Sequence, residues 1–326
     1  MQIVLAFLLA GFLLLMLLSA YNAWKTRRIA AVAEATVPPD GTFVSAAGRR
    51  FHVVEQGEGP AILFVHGLGG NLHHFDIPLW ASMGTGYRLV AADRRGSGYS
   101  EHHWGDDGRL TTHASDLVAL MDALGIEKAV LCGHSLGGAV ALATALDHPS
   151  RVAGLALLAP LTAHAAHLPA AFRPLYIPNA SVRRFIANTY AVPASVRTAK
   201  ETLDFVFGPQ QPPDDFAIAG KALVGLRPSH FDATSTDLVH VSRDLPSLEK
   251  RYGEIAVPSG VLFGTEDRVV DPMANGTALA GRIPGIDIEL LEGVGHMPQY
   301  AEPQRVAAFV RRIAARAFSQ TDAGRA

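Results

Sequence analysis

The chain lacks most of the residue patterns that build disulfide, metal or nucleotide sites. Cys132 is the only cysteine, which excludes an intramolecular disulfide, and no cluster of cysteine and histidine has zinc-site spacing. His164 and His167 have the spacing of one helical face, but a surface location is favoured over a metal site. No glycine-rich phosphate loop, dinucleotide fingerprint or basic stripe occurs, and the formal net charge is −2. We therefore expect no cofactor, no metal ion and no nucleic-acid partner.

Charged residues are also absent from the N-terminus, over residues 2–24. Residues 3–20 are almost all aliphatic or aromatic, and ~20 helical residues are enough to cross a bilayer core of ~30 Å. Tyr21 and Trp24 would lie at the membrane interface, and a basic flank follows at Lys25, Arg27 and Arg28. The pattern predicts a single-pass transmembrane anchor over residues 1–24.

A cleaved signal peptide is the alternative interpretation of this segment. Such a peptide has a basic region before a shorter apolar core, and small residues of the A-x-A type at its cleavage site. Here the basic residues follow the apolar run and no clean A-x-A site precedes them, so an uncleaved membrane anchor is favoured. The positive-inside rule favours a cytoplasmic location for the remaining chain, but a bias of three residues leaves the side of the membrane open.

Residues 133–137 spell G-x-S-x-G, with Ser135 at the centre. The apolar run 128–132 before them predicts a short buried strand, and the alanine-rich stretch 138–143 after them predicts a helix. A sharp turn from strand to helix holds the serine at its tip, and the flanking glycines let the neighbouring backbone pass. The pattern is typical of a nucleophile elbow, whereas an ordinary glycine-rich turn would need neither the strand nor the helix.

Two later segments supply an acid and a base in the chain order Ser, Asp, His. Residues 259–264 are predicted as a late strand, and Asp267 lies in the loop after it. Residues 286–291 alternate like a final strand, and His296 follows in a glycine-rich loop. Because the carboxyl ends of parallel strands lie at one edge of a sheet, we expect Ser135, Asp267 and His296 to converge.

These three residue types suit nucleophilic catalysis. The hydroxyl of Ser135 is a poor nucleophile at neutral pH and needs a base, and the imidazole of His296 titrates in the required range. A buried carboxylate at Asp267 would fix the histidine tautomer and stabilise the imidazolium. Glu266 is the neighbouring alternative for the acid and is ranked second. The sequence therefore predicts a catalytic triad.

The motifs together resemble those of the α/β-hydrolase superfamily, over about residues 41–318. The sequence HGLGG at 66–70 is similar to the family's HG-x-G loop, and DRRGSGYS at 93–100 to its D-x-R-G-x-G-x-S turn. The acid loop with Pro272 and the histidine loop with Pro303 also match family patterns. The resemblance implies an α/β fold with a mainly parallel sheet flanked by helices, and a helical cap inserted after the sixth main strand.

The resemblance also implies which backbone groups form the oxyanion hole. The N–H of the residue after the HG pair maps to Leu68, and that of the residue after the nucleophile maps to Leu136. Ser97 and Ser100, in the 93–100 turn, are poor nucleophile candidates because they have no elbow. Since both donors would be backbone groups, substitution of the leucine side chains should not remove them.

A coarse assignment of the remaining chain agrees with this plan. Residues 43–45 and 50–55 are predicted as an antiparallel pair, residues 111–124 as a helix, and residues 152–158 as a strand. After residue 160 the pattern breaks into short helical stretches with scattered prolines. The predicted units are an anchor (1–24), a linker (25–40), a core in two parts (41–160 and 246–318), a cap (161–245) and a disordered tail (319–326).

We predict a membrane-anchored serine hydrolase of the carboxylesterase or lipase type. Its substrate would be a small-molecule ester or a lipid ester such as a monoacylglycerol, because the cap carries many large apolar side chains. These are Phe172, Leu175, Tyr176, Ile177, Phe185, Phe205, Val206, Phe207 and Phe231. Hydrolysis of a carbon–carbon bond, or acyl transfer, would use the same triad. A binding protein without turnover is disfavoured, since all three triad residues are intact.

Overall fold

Eight strands form one sheet in the computed structural model, which describes residues 1–164 and 168–323 and so excludes His167. The strand order is β1-β2-β4-β3-β5-β6-β7-β8. The pairs β1–β2 and β2–β4 are antiparallel, and the other pairs are parallel. The strands are β1 (Thr42–Ala46), β2 (Arg49–Gln56), β3 (Ala61–Val65), β4 (Arg88–Ala92), β5 (Ala129–His134), β6 (Val152–Leu158), β7 (Ser259–Gly264) and β8 (Asp287–Leu291).

Helices cover both faces of the sheet, as predicted. The helices α3 and α4 pack with one half of the core, and α2 and α11 pack with the other half. Strands β3, β5, β6 and β7 are buried along their whole length because they are covered on both sides. The helix bounds are α1 (Gln2–Thr36), α2 (His73–Met83), α3 (Leu110–Ala123), α4 (Leu136–Asp147), α5 (Ala180–Ile186), α6 (Val192–Arg197), α7 (Ala199–Phe207), α8 (Pro228–Leu248), α9 (Pro272–Asn275), α10 (Pro298–Ala301) and α11 (Pro303–Ala323).

The insertion between β6 and β7 is helical, which confirms the predicted cap. It contains α5 to α8, and a π-helical turn at Ala187–Ala191 joins α5 to α6. Helix α8 runs past residue 245, the predicted end of the cap, because Leu245 and Leu248 pack into the core of the sheet domain. The cap is therefore attached to the core along a continuous helix.

Helix α1 is longer than the predicted anchor. It continues without interruption to Thr36, which corrects the first part of the predicted linker over 25–40, whereas residues 37–40 lie outside any helix or strand. Thr26, Ala30 and Ala33 are buried along one side of it, because the small side chains let the helix pack closely against the cap. Residues 2–18 make no such contact and are exposed. Among the described residues, α1 alone is long and apolar enough to cross a membrane.

The C-terminus is also more helical than predicted. Helix α11 extends to Ala323, so the helix continues into the segment 319–326 that was predicted as a disordered tail. Its apolar face carries Val306, Phe309 and Ile313 into the core. This amphipathic packing explains the length of the helix, and residues 324–326 lie outside the described part of the chain.

Candidate active site

Ser135 stands at the turn between β5 and α4 with a backbone conformation that few serines adopt. Its φ is 53° and its ψ is −121°, and its exposed fraction is 8%. The neighbouring backbone leaves no space for side chains at the flanking glycines. A Cβ at Gly137 would lie 2.0 Å from the carbonyl oxygen of Val65, and one at Gly133 would lie 2.4 Å from that of Gly137. These contacts are the physical reason for the two glycines of the motif.

Asp267 and His296 are hydrogen-bonded to each other. His296 Nδ1 donates to Asp267 Oδ2 over 2.7 Å, and the two side chains are 4% and 0% exposed. The other carboxylate oxygen, Oδ1, accepts from the backbone N–H groups of Val269 and Val270 at 2.8 and 2.9 Å. Glu266 is exposed. The arrangement fixes the proton of a neutral His296 on Nδ1 and leaves Nε2 as the basic nitrogen.

His134 connects the histidine loop to the elbow, a role that the sequence did not indicate. His134 Nε2 donates to the backbone oxygen of His296 over 2.8 Å, and the two rings lie 4.8 Å apart. Burial, together with the nearby charge of His296, holds the pKa of His134 well below its usual range. Because His134 directly precedes Ser135, the hydrogen bond from a neutral His134 positions the backbone of His296 next to the elbow. The motif G-x-S-x-G allows any residue at this position, so it contained no signal.

The loop that carries Leu68 is held in place by buried hydrogen bonds. His66 Nε2 accepts from the backbone N–H of Arg94 at 2.9 Å, and His66 Nδ1 donates to Gly67 O at 2.9 Å. Arg94 also donates to the carbonyl oxygens of His66 and Gly67, both at 3.0 Å. Burial and the charge of Arg94 hold the pKa of His66 well below its usual range. This neutral histidine and the arginine fix the backbone immediately before Leu68.

Arg94 also joins this loop to the cap. Its Nη1 donates to Asp237 Oδ2 on α8 over 2.6 Å, and His113 Nε2 on α3 lies 2.9 Å from Asp237 Oδ1. Burial alone would raise the pKa of Asp237, but the charges of Arg94 and His113 lower it to about 2. The sequence did not indicate this cluster, because its members come from three separated segments.

A cavity of about 1140 Å³ lies between the core and the cap. Ser135, Asp267, Leu68 and Leu136 line it, so four of the five predicted site residues share one space, and His296 joins them through Asp267. Leu136 is the first residue of α4, and its N–H therefore has no partner within the helix. The apolar part of the wall comes mainly from the cap and includes Leu168, Phe172, Tyr176, Leu238, Val241 and Leu245.

Three arginines add positive charge to this cavity. Arg173, Arg243 and Arg268 line its wall. Within the described ranges, none of their guanidinium groups makes an ion pair or a hydrogen bond. The described residues contain no group of three or more His, Cys, Asp or Glu that could hold a metal ion. The ionic groups available to a ligand are therefore largely cationic.

Comparison with known proteins gives one family. The family model described as alpha/beta hydrolase fold matches residues 60–303. A 2-hydroxy-6-oxo-6-phenylhexa-2,4-dienoate hydrolase from Burkholderia cepacia is 29% identical over 255 residues, which are 77% of this chain and 86% of that protein. A 2-hydroxy-6-oxononadienedioate/2-hydroxy-6-oxononatrienedioate hydrolase from Comamonas testosteroni is 29% identical over 259 residues, 77% of this chain and 86% of that protein.

Solved structures share the same fold. An esterase from Thermogutta terrifontis superposes with a TM-score of 0.68 at 21% identity, covering 85% of this chain and 99% of its own. A membrane phospholipase A described as a bacterial virulence factor superposes with a TM-score of 0.66 at 22% identity, covering 96% of this chain and 99% of its own. With the family match over most of the chain, these findings confirm the resemblance seen in the motifs. The chain belongs to the alpha/beta hydrolase fold family, and it is a hydrolase.

Proposed function

We propose that the protein is a membrane-anchored serine hydrolase that cleaves carboxylic esters, with Ser135, His296 and Asp267 as its catalytic triad. The observation that carries the proposal is the meeting of a strained serine and a hydrogen-bonded Asp–His pair at one cavity. Strained backbone of this kind costs of order 1–3 kcal/mol and is found mostly at functional sites. The apolar cap wall and the exposed N-terminal half of α1 support a lipid ester as the substrate.

In the first half of the reaction, Ser135 Oγ attacks the carbonyl carbon of the ester while His296 Nε2 takes the hydroxyl proton. The carbonyl oxygen becomes an oxyanion and accepts hydrogen bonds from the backbone N–H groups of Leu68 and Leu136. One such donor typically lowers the barrier by ~3 kcal/mol. The C–O bond to the leaving group then breaks, and the imidazolium of His296 gives its proton to the departing alcohol.

In the second half, water replaces the alcohol. His296 Nε2 takes a proton from the water, whose oxygen attacks the acyl carbon and forms the second oxyanion at Leu68 and Leu136. The bond to Ser135 Oγ breaks, the serine recovers its proton from His296, and the carboxylic acid leaves. Asp267 stays ionised throughout and stabilises the imidazolium through the hydrogen bond to Nδ1.

Carbon–carbon bond hydrolysis is the second candidate, and the names of similar proteins favour it. Three relatives at 28–29% identity are named as hydrolases of 2-hydroxy-6-oxo-6-phenylhexa-2,4-dienoate or of 2-hydroxy-6-oxononadienedioate/2-hydroxy-6-oxononatrienedioate. Arg173, Arg243 and Arg268, which line the cavity without ion-pair partners among the described residues, suit the carboxylate of such a compound. The same arginines would also suit an anionic lipid headgroup, so the charge of the cavity does not separate the candidates.

A substrate panel separates them. The full-length protein in detergent micelles would be assayed with p-nitrophenyl esters of increasing acyl length, with a monoacylglycerol and with 2-hydroxy-6-oxo-6-phenylhexa-2,4-dienoate. We expect ester hydrolysis that rises with acyl length and is lost in Ser135→Ala. Turnover of the dienoate with little ester hydrolysis would replace the ester proposal by the carbon–carbon proposal. No turnover of any substrate by folded protein would favour a binding protein.

A further inference from the structure

The contact between helix α1 and the cap begins at Ser19. Ser19 Oγ lies 2.8 Å from the hydroxyl of Tyr190, and Thr26 Oγ1 donates to Thr189 O over 2.7 Å. From Ser19 onward, one side of the helix is covered by the cap, whereas residues 2–18 are exposed. At about 1.5 Å per residue, the exposed segment spans about 25 Å, close to the hydrocarbon thickness of ~30 Å. If this segment is inserted, the cap at Tyr190 lies at the membrane surface.

Close to Tyr190, the cap has exposed apolar side chains. Phe185 is 51% exposed, and its ring lies 6.0 Å from that of Tyr190, the residue that contacts α1. Val182, one turn earlier on α5, is 47% exposed. The guanidinium of Arg184 lies over the ring of Trp104 at 5.0 Å, and Trp104 is 38% exposed. Exposed aliphatic, aromatic and arginine side chains next to an apolar helix are the composition of a membrane interface.

The charge of this part of the cap is one-sided. No aspartate or glutamate occurs over residues 148–200, whereas the exposed arginines Arg184 and Arg197 do. On α1 itself the basic residues Lys25, Arg27 and Arg28 follow directly after Ser19–Trp24. Anionic lipid headgroups attract such clusters of basic residues near the membrane surface. A negatively charged bilayer is therefore complementary to this face.

Buried hydrogen bonds hold the face next to the cavity. Buried Arg183 on α5 donates to Asp232 Oδ1 of α8 over 3.0 Å and to Ile177 O over 2.9 Å. The second carboxylate oxygen of Asp232 lies 2.9 Å from His102 Nε2, in the segment that leads to Trp104. Tyr176, which precedes Ile177, lines the cavity. Buried hydrogen bonds therefore connect the apolar face to the cavity wall.

We propose that the face formed by Val182, Phe185 and Trp104 rests in the headgroup region of the bilayer that holds α1, beside the wall of the substrate cavity. The proposal rests on the membrane anchoring in the proposed function and adds that the cap itself is a lipid-binding surface. A substrate could then pass from the bilayer into the cavity at Tyr176 without crossing bulk water. In this arrangement α1 anchors the enzyme in the bilayer and also orients it.

Fluorescence quenching by lipid tests the proposal without any assay of activity. Cys132 is fully buried, so a maleimide nitrobenzoxadiazole label on the folded full-length protein reports on an introduced cysteine alone. Three variants are compared, namely Leu9→Cys in the exposed part of α1, Phe185→Cys in the cap and Leu290→Cys on the edge strand β8. Leu290 is 43% exposed and serves as the matched surface control. The vesicles contain phosphatidylcholine, phosphatidylglycerol and a nitroxide-labelled phosphatidylcholine, with the nitroxide near the headgroup for positions 185 and 290 and on the acyl chain for position 9.

We expect at least twofold quenching at positions 9 and 185, and little at position 290. Quenching at position 9 without quenching at position 185 would overturn the proposal and leave the anchor intact. A second copy of the chain that covers the face would give that result. Absence of quenching at position 9 would overturn the anchor and the proposal together. As a second readout, Phe185→Glu should lower hydrolysis of a vesicle-embedded ester about fivefold or more relative to Leu290→Glu, with a soluble ester unaffected.

Discussion

Replacing the buried carboxylate of Asp237 tests the connection between the cap and the oxyanion loop. In Asp237→Asn the guanidinium of Arg94 loses its carboxylate partner. The arginine side chain is only 2% exposed, so water cannot replace that partner. Removing one member of a buried ion pair typically costs roughly 3–5 kcal/mol, because the remaining charge stays desolvated. Because Arg94 also holds the carbonyls of His66 and Gly67, we further expect kcat to fall more than KM changes.

The matched control is Asp122→Asn, which removes a surface ion pair. Asp122 lies 2.7 Å from Arg151 and its side chain is 63% exposed, so the expected cost is below about 1 kcal/mol. Urea unfolding in detergent micelles at pH 7, followed by tryptophan fluorescence, measures both variants. A cost for Asp237→Asn within about 1 kcal/mol of the control would refute the assigned role of the buried pair.

The same pair predicts a pH dependence with a definite sign. The pKa of Asp237 is lowered in the folded protein to about 2 from its ordinary value of 3.8. The ionised carboxylate therefore contributes about 2 kcal/mol that is fully present above pH 5 and is lost as the pH falls through 2. By pH 3, the wild type should lose about 1 kcal/mol that Asp237→Asn does not lose. A stability difference between the two proteins that stays constant from pH 5 to pH 3 would contradict this.

Three further variants probe the elbow and the histidine loop. Ser135→Gly should be more stable than Ser135→Ala by about 1 kcal/mol, because only glycine adopts the positive φ without strain, and urea midpoints measure the difference. His134→Leu should lower kcat about tenfold or more with little change in KM, since the backbone of His296 loses a hydrogen bond. Gly137→Ala should unfold the protein or lower its Tm strongly, because the new Cβ would meet the carbonyl oxygen of β3 at 2.0 Å, whereas Gly281→Ala, which meets nothing within 4 Å, should not.

The sheet domain was predictable because its signals are local. Strand β6 begins and ends where the apolar run 152–158 does, and β5 leads into α4 through the elbow as predicted. Such continuous apolar runs leave few alternatives to a buried strand once glycines and helices bound them. The predicted antiparallel pair is formed by β1 and β2, and Ala47 and Gly48 between these strands both have a positive φ.

The extent of α1 was not predictable in the same way. Thr26, Ala30 and Ala33 give almost no hydrophobic periodicity, so the segment after Trp24 looked like a linker. Its partner surface at Ala187–Ala191 is distant in sequence, and only the folded cap creates it. Small residues stabilise this contact because they let the helices approach closely, more than because they are hydrophobic. Hydrophobic periodicity in the sequence therefore does not indicate them.

In the candidate site, the proposed triad residues had local sequence signals, whereas the residues that support them did not. The order of motifs pointed to Ser135, Asp267 and His296, and their assignment as a triad stays a prediction. The side chain of Asp267 is 0% exposed and contacts His296, whereas its sequence neighbour Glu266 is exposed, a difference that depends on the folded loop. The supporting contacts of His134 and of the Arg94–Asp237 pair could not be predicted, because each joins segments that the sequence leaves unrelated.

Covalent labelling tests whether Ser135 is the nucleophile. The folded full-length protein would be treated with a fluorophosphonate probe and analysed by intact mass and peptide mapping, alongside Ser135→Ala with an unchanged circular dichroism spectrum. We expect one probe per chain, attached to Ser135, and no labelling of the variant. An unlabelled wild type, or a probe attached to Ser97 or Ser100 and retained in Ser135→Ala, would contradict it.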